Sequence, residues 1–131
     1  MKISIITVVW NNNETIKYAI DSVLNQTYKD IEYIVVDGAS TDGTVEVVKS
    51  YGGKITKFIS EKDNGLYDAM NKGISLATGN IVGILNSDDF YVDNNVVKQV
   101  VREFNNRNVD SVFADLIYVN QNNINKVIRY F

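Results

Sequence analysis

The sequence predicts an α/β protein, a mostly parallel sheet with helices on both faces and an antiparallel element at its C-terminal edge. Two nearly unbroken apolar, β-branched runs, Ile3 to Val9 and Ile31 to Val36, have the pattern of strands buried on both faces. Between and after them, apolar residues recur at helical spacing, as in Ile16, Ala19, Ile20, Val23 and Leu24. Strands and helices alternate through loops of ordinary length, which is the pattern of parallel crossovers.

The first strand, Ile3 to Val9, ends near Trp10, and Asn11-Asn12-Asn13-Glu14 supplies caps for a helix from Glu14 to Asn25. Ile31 to Val36 is the second strand. It ends on Asp37-Gly-Ala-Ser-Thr-Asp-Gly43, a strand-to-helix loop rich in capping side chains, before a short helix, Thr44 to Tyr51, stopped by Gly52-Gly53. Ile55 to Ser60 is the third strand, and Glu61 to Gly65 turns into a helix carrying Leu66, Ala69, Met70, Gly73, Ile74 and Ala77, with Gly79 as a left-handed cap. The apolar run from Ile81 forms the fourth strand and stops on Asp88-Asp89. Val92 to Asn106 follows as an amphipathic helix, then Asp110 to Val119 as a strand, with Gln121-Asn-Asn123 turning it into Ile124 to Tyr130.

At 131 residues the chain is read as one domain, 1–131. A net charge of -3 gives no basic footprint for nucleic acid. Without cysteine there is no disulfide or thiolate metal site, and without histidine no Ser-His or Cys-His machinery. The apolar N-terminal run is too short for a signal peptide or a membrane span. The expectation is a cytoplasmic protein, with the inner face of the membrane as the alternative location; oligomeric state stays open.

Asp88 and Asp89 close a buried strand at the end where open α/β sheets bind ligands. Two carboxylates ~4 Å apart repel by about 4 kcal/mol at an effective dielectric of about 20. A hard divalent cation, Mn²⁺ or Mg²⁺, would relieve that repulsion and take diphosphate oxygens as further ligands. A plain Asp-Asp turn is the other reading of the pair alone.

Five blocks in order resemble a known family: Ser4-Ile-Ile-Thr-Val-Val-Trp-Asn11, Asp21-Ser-Val-Leu-Asn-Gln-Thr27, Val36-Asp-Gly-Ala-Ser-Thr-Asp-Gly-Thr44, Asn64-Gly-Leu-Tyr-Asp-Ala-Met-Asn-Lys-Gly73 and Leu85-Asn-Ser-Asp-Asp89. Together they resemble the family 2 glycosyltransferases, with the Rossmann-like GT-A fold. The resemblance covers about residues 2 to 95, the donor half, and leaves 96–131 as a partial acceptor-side region. It implies a transferase that moves a sugar from a nucleotide-sugar donor, most often a UDP-sugar, to a glycan or lipid-linked acceptor in polysaccharide biosynthesis. It also implies a metal ion, Mn²⁺ or Mg²⁺, and inversion of the anomeric centre.

Carried over by position, the resemblance implies that Thr7, Trp10 and Asn11 contact the nucleotide and that Asp37 accepts the imide N–H of uracil. Ser40 and Asp42 support that loop. Asp89 is the metal ligand, Asp88 binds metal or ribose, and Asp68 and Asn71 line the donor pocket. Asn86 stands where many relatives carry the first acid of Asp-x-Asp-Asp, and Met70 where relatives often carry Arg. A general base to deprotonate the acceptor is also required. Only about 40 residues follow Asp89, so the chain is expected to be C-terminally short, with Asp115 as the one candidate base. The alternative reading is a nucleotide-sugar-binding module without turnover.

Overall fold

Strand β1 (Ile3–Val9) has no exposed residue, and the rest of the N-terminal fold is built outward from it. The computed structural model describes residues 1–120 and 122–130, in two units, 1–99 and the segment from Val100 onward. In the first unit β1 is followed by α1 (Ile16–Leu24), β2 (Ile31–Asp37), α2 (Thr44–Lys49), a 3₁₀ turn (Gly52–Lys54), β3 (Lys57–Ser60), α3 (Leu66–Leu76) and β4 (Ile81–Ile84). All four strands are parallel, in the order β3-β2-β1-β4, with Ile3 beside both Ile31 and Ile81.

This order places the helices. Chain progression from β1 to β2 to β3 runs one way across the sheet, and the step from β3 to β4 runs back past β1. Right-handed crossovers then put α1 and α2 on one face and α3 on the other. In agreement, α1 and α2 touch each other, while α3 lies against β1 and β2. Beneath α3, Ile6, Val8, Ile34, Val36 and Ala69 form a buried cluster, with Met70, Leu76 and Ala77 packed at its margin. The opposite face carries Ile5, Thr7, Tyr33 and Val35, all buried, and α1 contributes the equally buried Ile16, Ala19, Ile20 and Val23. Contact on the α3 side is close: a Cβ on Gly73 would lie 2.5 Å from Ile6 Cγ2. Among the described residues no helix is long and apolar enough to cross a membrane.

Several boundaries differ from the sequence expectation. Helix α1 begins at Ile16 rather than Glu14, because the asparagines expected to cap it are bonded to a neighbouring loop instead; no side chain caps this helix. Gly79 is not a left-handed cap. Helix α3 ends on an extended Ala77, and Gly79 is small because Ser4 N and Oγ would each lie 2.7 Å from its Cβ. Helix α4 (Val96–Asn106) spans the junction of the two units and starts four residues late. Gln26, buried just past the end of α1, occupies the preceding segment by donating to Asp93 O (2.7 Å) and accepting from Val97 N (3.0 Å).

In the second unit β5 (Ile117–Asn120) and β6 (Asn123–Tyr130) pair antiparallel in a two-stranded sheet of their own. The expected strand from Asp110 shrinks to Ile117. Among the described residues the ladder ends at Ile117 with Tyr130, and none of them pairs with 110–116. Of the expected hairpin turn, Gln121 lies outside the described residues.

At the amino end of the parallel strands, buried Glu32 accepts from Ser4 Oγ (2.7 Å), Thr78 N and Thr78 Oγ1 (both 2.8 Å), with Lys57 Nζ at 3.2 Å and Lys2 Nζ at 3.5 Å. Burial alone would raise its pKa, but these donors outweigh that and hold it well below the usual carboxylate range. A lowered folded-state pKa contributes stability that is complete above the ordinary glutamate value, about 4.3, and is lost as pH falls toward the folded value. Glu32→Ala is therefore expected to cost about 3–5 kcal/mol in urea unfolding at pH 7. The loss should shrink on going from pH 6 to pH 3, and a pH-independent loss would contradict the assignment.

Candidate functional site

Strand order reverses at β1, whose neighbours β2 and β4 are reached by connections running in opposite directions. In open α/β sheets the crevice at the carboxyl ends of such strands is where ligands bind. Four loops meet that end of the sheet, after β1, β2, β3 and β4.

The loops after β1 and β2 are sewn together. Asp37, with no exposed surface, accepts from Ser40 N (2.9 Å), Ser40 Oγ (2.5 Å) and Ser60 Oγ (2.7 Å). Three of about four lone-pair positions on the carboxylate are thereby filled. Ser40 Oγ in turn accepts from Asn11 N (2.8 Å), and Asn11 Oδ1 accepts from Thr41 N (2.8 Å). Asn11 and Ala39 both adopt positive φ, 47° and 63°, a conformation rare for Ala that this bonding holds in place. Further along, Asp42 accepts from Asn13 N (3.1 Å), Thr44 N (3.0 Å) and Thr44 Oγ1 (2.5 Å). The Thr44 hydroxyl, ahead of smaller contributions, draws the Asp42 pKa down. Asp42 thus supports α2, as its place in the loop suggested.

Beyond β4 the chain continues the ladder by one bond, Leu85 N to Ile6 O (2.9 Å), and turns through Asn86 to Asp89, where Asp89 N donates to Asn86 O (3.1 Å). Ser87 is held from the β1 loop: Asn12 Nδ2 donates to its Oγ (3.1 Å) and Thr15 Oγ1 to its carbonyl (3.0 Å). Asp88 is exposed and Asp89 half-buried. Burial, and then the charge of Asp88, push the Asp89 pKa up. Asn86 Oδ1 is a buried acceptor with no hydrogen-bond partner. An orphaned carbonyl oxygen beside two repelling carboxylates is the donor set a hard cation takes, so these residues fit a divalent metal. Among the described residues no group of three or more His, Cys, Asp or Glu side chains is placed to hold a metal. The fit is to an ion with few protein ligands and the rest from substrate or water.

On the β3 side, Asp68 accepts from Asn64 N (2.9 Å) in the first turn of α3. Lys72 donates to Lys62 O (3.0 Å) and pairs with Glu61 (3.2 Å) and Asp68 (3.7 Å). Burial would depress the Lys72 pKa, but Glu61 first, then Asp68 and Asp63, outweigh it and raise it. This lysine pins the 61–65 loop. Asn71 is exposed on α3, and Met70 packs at the core margin. Trp10 is 67% exposed. Its Cδ1 and the Asp63 carboxylate flank Gly38, 3.4 Å and 2.7 Å from where a Cβ would stand.

The structure thus gathers Trp10, Asn11, Asp37, Ser40, Asp88 and Asp89 onto loops at one end of the sheet, with Asp68 on the first turn of α3. It does not bring Thr7 there. Thr7 is fully buried within β1, its hydroxyl sharing a 2.8 Å hydrogen bond with Tyr33 Oη. Asp115 lies in the second unit, exposed and outside any strand. Asn12, Ser60, Asp63 and Ser87 were not singled out from the sequence. Ser60 alone carried a signal, as a polar residue closing a strand.

A parallel sheet with its reversal beside an acidic turn is the layout in which open α/β sheets bind ligands. The profile of Glycosyl transferase family 2 matches residues 4–131, and the chain belongs to that family. The UDP-Glc:alpha-D-GlcNAc-diphosphoundecaprenol beta-1,3-glucosyltransferase WfaP of Escherichia coli is 35% identical over 101 residues, covering 75% of this chain and 39% of WfaP. The structure of S. aureus TarS residues 1–349 with UDP-GlcNAc superposes with a TM-score of 0.74 at 25% identity, over 81% of this chain and 32% of that one. The mannosyltransferase PcManGT of Pyrobaculum calidifontis, in complex with GDP-Man and Mn²⁺, gives 0.71 at 27% identity, over 77% and 31%. The chain spans about a third of the length of these relatives.

Asp88→Asn is expected to lower the Asp89 pKa toward the ordinary aspartate value in a carboxyl-carbon NMR titration of the metal-free protein. Because a raised acid pKa means that ionisation costs stability, the same substitution should raise Tm at pH 7. An unmoved Asp89 titration would remove Asp88 as a cause.

Proposed function

We propose that this chain is the donor-binding part of a metal-dependent, inverting glycosyltransferase that takes a sugar from a UDP-sugar and delivers it to a glycan or lipid-linked acceptor. The acidic turn Asn86–Asp89, standing where the strand order reverses, carries this reading. Asp89 and Asp88, with the Asn86 carbonyl, hold Mn²⁺ or Mg²⁺ at the diphosphate. When bound, that ion neutralises charge developing on the departing diphosphate.

The remaining roles belong to the chain. Trp10 offers an exposed aromatic face to the base or sugar, and Asn11 and Ser40 frame the base end of the crevice. Asp37 keeps one acceptor position for the imide N–H, which requires the Gly38–Thr41 loop to shift, since the carboxylate is covered. Asp68 and Asn71 border the donor from α3. TarS with UDP-GlcNAc and PcManGT with GDP-Man and Mn²⁺ support a nucleotide-sugar donor. The diphosphoundecaprenol acceptor in WfaP's name supports a lipid-linked acceptor.

A second reading, a binding module without turnover, is favoured by Asp115: no strand or helix holds the one candidate base. Heat of UDP-sugar binding with no UDP release, when diphosphate-lipid acceptors are supplied, would select it.

Asp89→Ala is expected to reduce UDP affinity in Mn²⁺ to the metal-free level with an unchanged circular dichroism spectrum; retained Mn²⁺-dependence by calorimetry would sink the metal assignment. Asp37→Asn is expected to weaken UDP about tenfold or more while leaving Mn²⁺-pyrophosphate nearly untouched. Equal losses for both ligands would remove Asp37 from the base.

A further inference from the structure

The acidic turn follows β4, which among the described residues pairs in the sheet with β1 alone. Within the turn, Asp89 N donates to Asn86 O (3.1 Å). What fixes the turn comes from residues more than 70 positions earlier. Asn12 Nδ2 holds the Ser87 hydroxyl, and Thr15 Oγ1 holds the Ser87 carbonyl. Asn12 is itself fixed at both backbone ends: its N–H donates to Thr44 Oγ1 (3.0 Å), and its carbonyl accepts from Ile16 N (3.3 Å) at the start of α1. Thr44 Oγ1 in turn donates to Asp42 Oδ1 (2.5 Å). One line of bonds therefore runs from Asp42 through Thr44 and Asn12 to Ser87, between Asn86 and Asp88.

We infer that Asn12 and Ser87 are positioning residues that hold Asn86, Asp88 and Asp89 at the separation a divalent cation needs, so that the loops after β1 and β2 set the metal affinity of the loop after β4. The inference rests on the metal-site reading above. Neither residue touches the cation or the donor. Their contribution is orientation, the kind that outer partners of metal ligands supply, and losing it costs about 10- to 100-fold in metal affinity.

The test is calorimetry of UDP with and without Mn²⁺ on the full chain, for wild type, Asn12→Ala, Ser87→Ala, the double variant and Ser87→Thr, with Tm recorded for each. The expected result is a 10- to 100-fold loss of Mn²⁺-supported UDP affinity in each single variant, with metal-free UDP affinity held. The double variant should be no worse than either single one, the mark of a shared interaction. Ser87→Thr, which keeps the hydroxyl, should restore the wild-type value. Wild-type Mn²⁺ response in Ser87→Ala, or additive losses in the double variant, would overturn the inference while leaving the metal site standing. A wild-type chain whose UDP affinity ignores Mn²⁺ would overturn the metal site and the inference together.

Discussion

Burying β1 on both faces and both edges is the constraint from which the rest of the structure follows. The chain leaves β1 toward β2 on one side and returns to its other side at β4, so the order reverses there and the crevice forms beside its carboxyl end. Every functional loop is then suspended from the same rigid ladder: Trp10 to Thr15 extend β1 itself, Gly38 N is bonded to Val9 O, and Leu85 N to Ile6 O. The far end of the strands is closed by Glu32 and its donors, which separates the stabilising charge cluster from the acidic turn.

Loops at a functional end are ordinarily the soft part of a domain. Here polar side chains do the work that apolar packing does in the core. The side chains of Asn11, Asn12 and Asn13 each bond across to a neighbouring loop rather than capping their own helix. The left-handed Asn11 and Ala39 show that the arrangement is imposed by those bonds, because an isolated loop would relax out of it.

Most of the fold was legible because the signals were local. The unbroken runs of β1 and β2 and the helical spacing of α1 and α3 needed no partner to be recognised, and the ordered blocks around Asp37 and Asp89 identified the family. What escaped was non-local. Thr7 sits in a strand buried on both faces, where apolar continuity says nothing about which side a hydroxyl takes; Tyr33 takes it. Gly79 looked like a helix cap by its position in the chain, yet it answers to Ser4. The bond from Asn12 to Ser87 joins residues 75 apart and has no local signature. The segment 110–116 reads as a strand, but strand character needs a ladder, and β6 pairs no further along than Ile117.

Gly73 carries one more consequence. With Ile6 fully buried below it and no room for even a methyl group between them, the glycine acts as a spacer gauge for the layer between α3 and the sheet. Asp68 sits on the same rigid rod about one and a half turns earlier and accepts from Asn64 N, so its height above the strand ends is inherited from that contact. A bulkier residue at 73 would tilt the rod and lift the rim of the crevice without changing any residue of the Asn86–Asp89 turn.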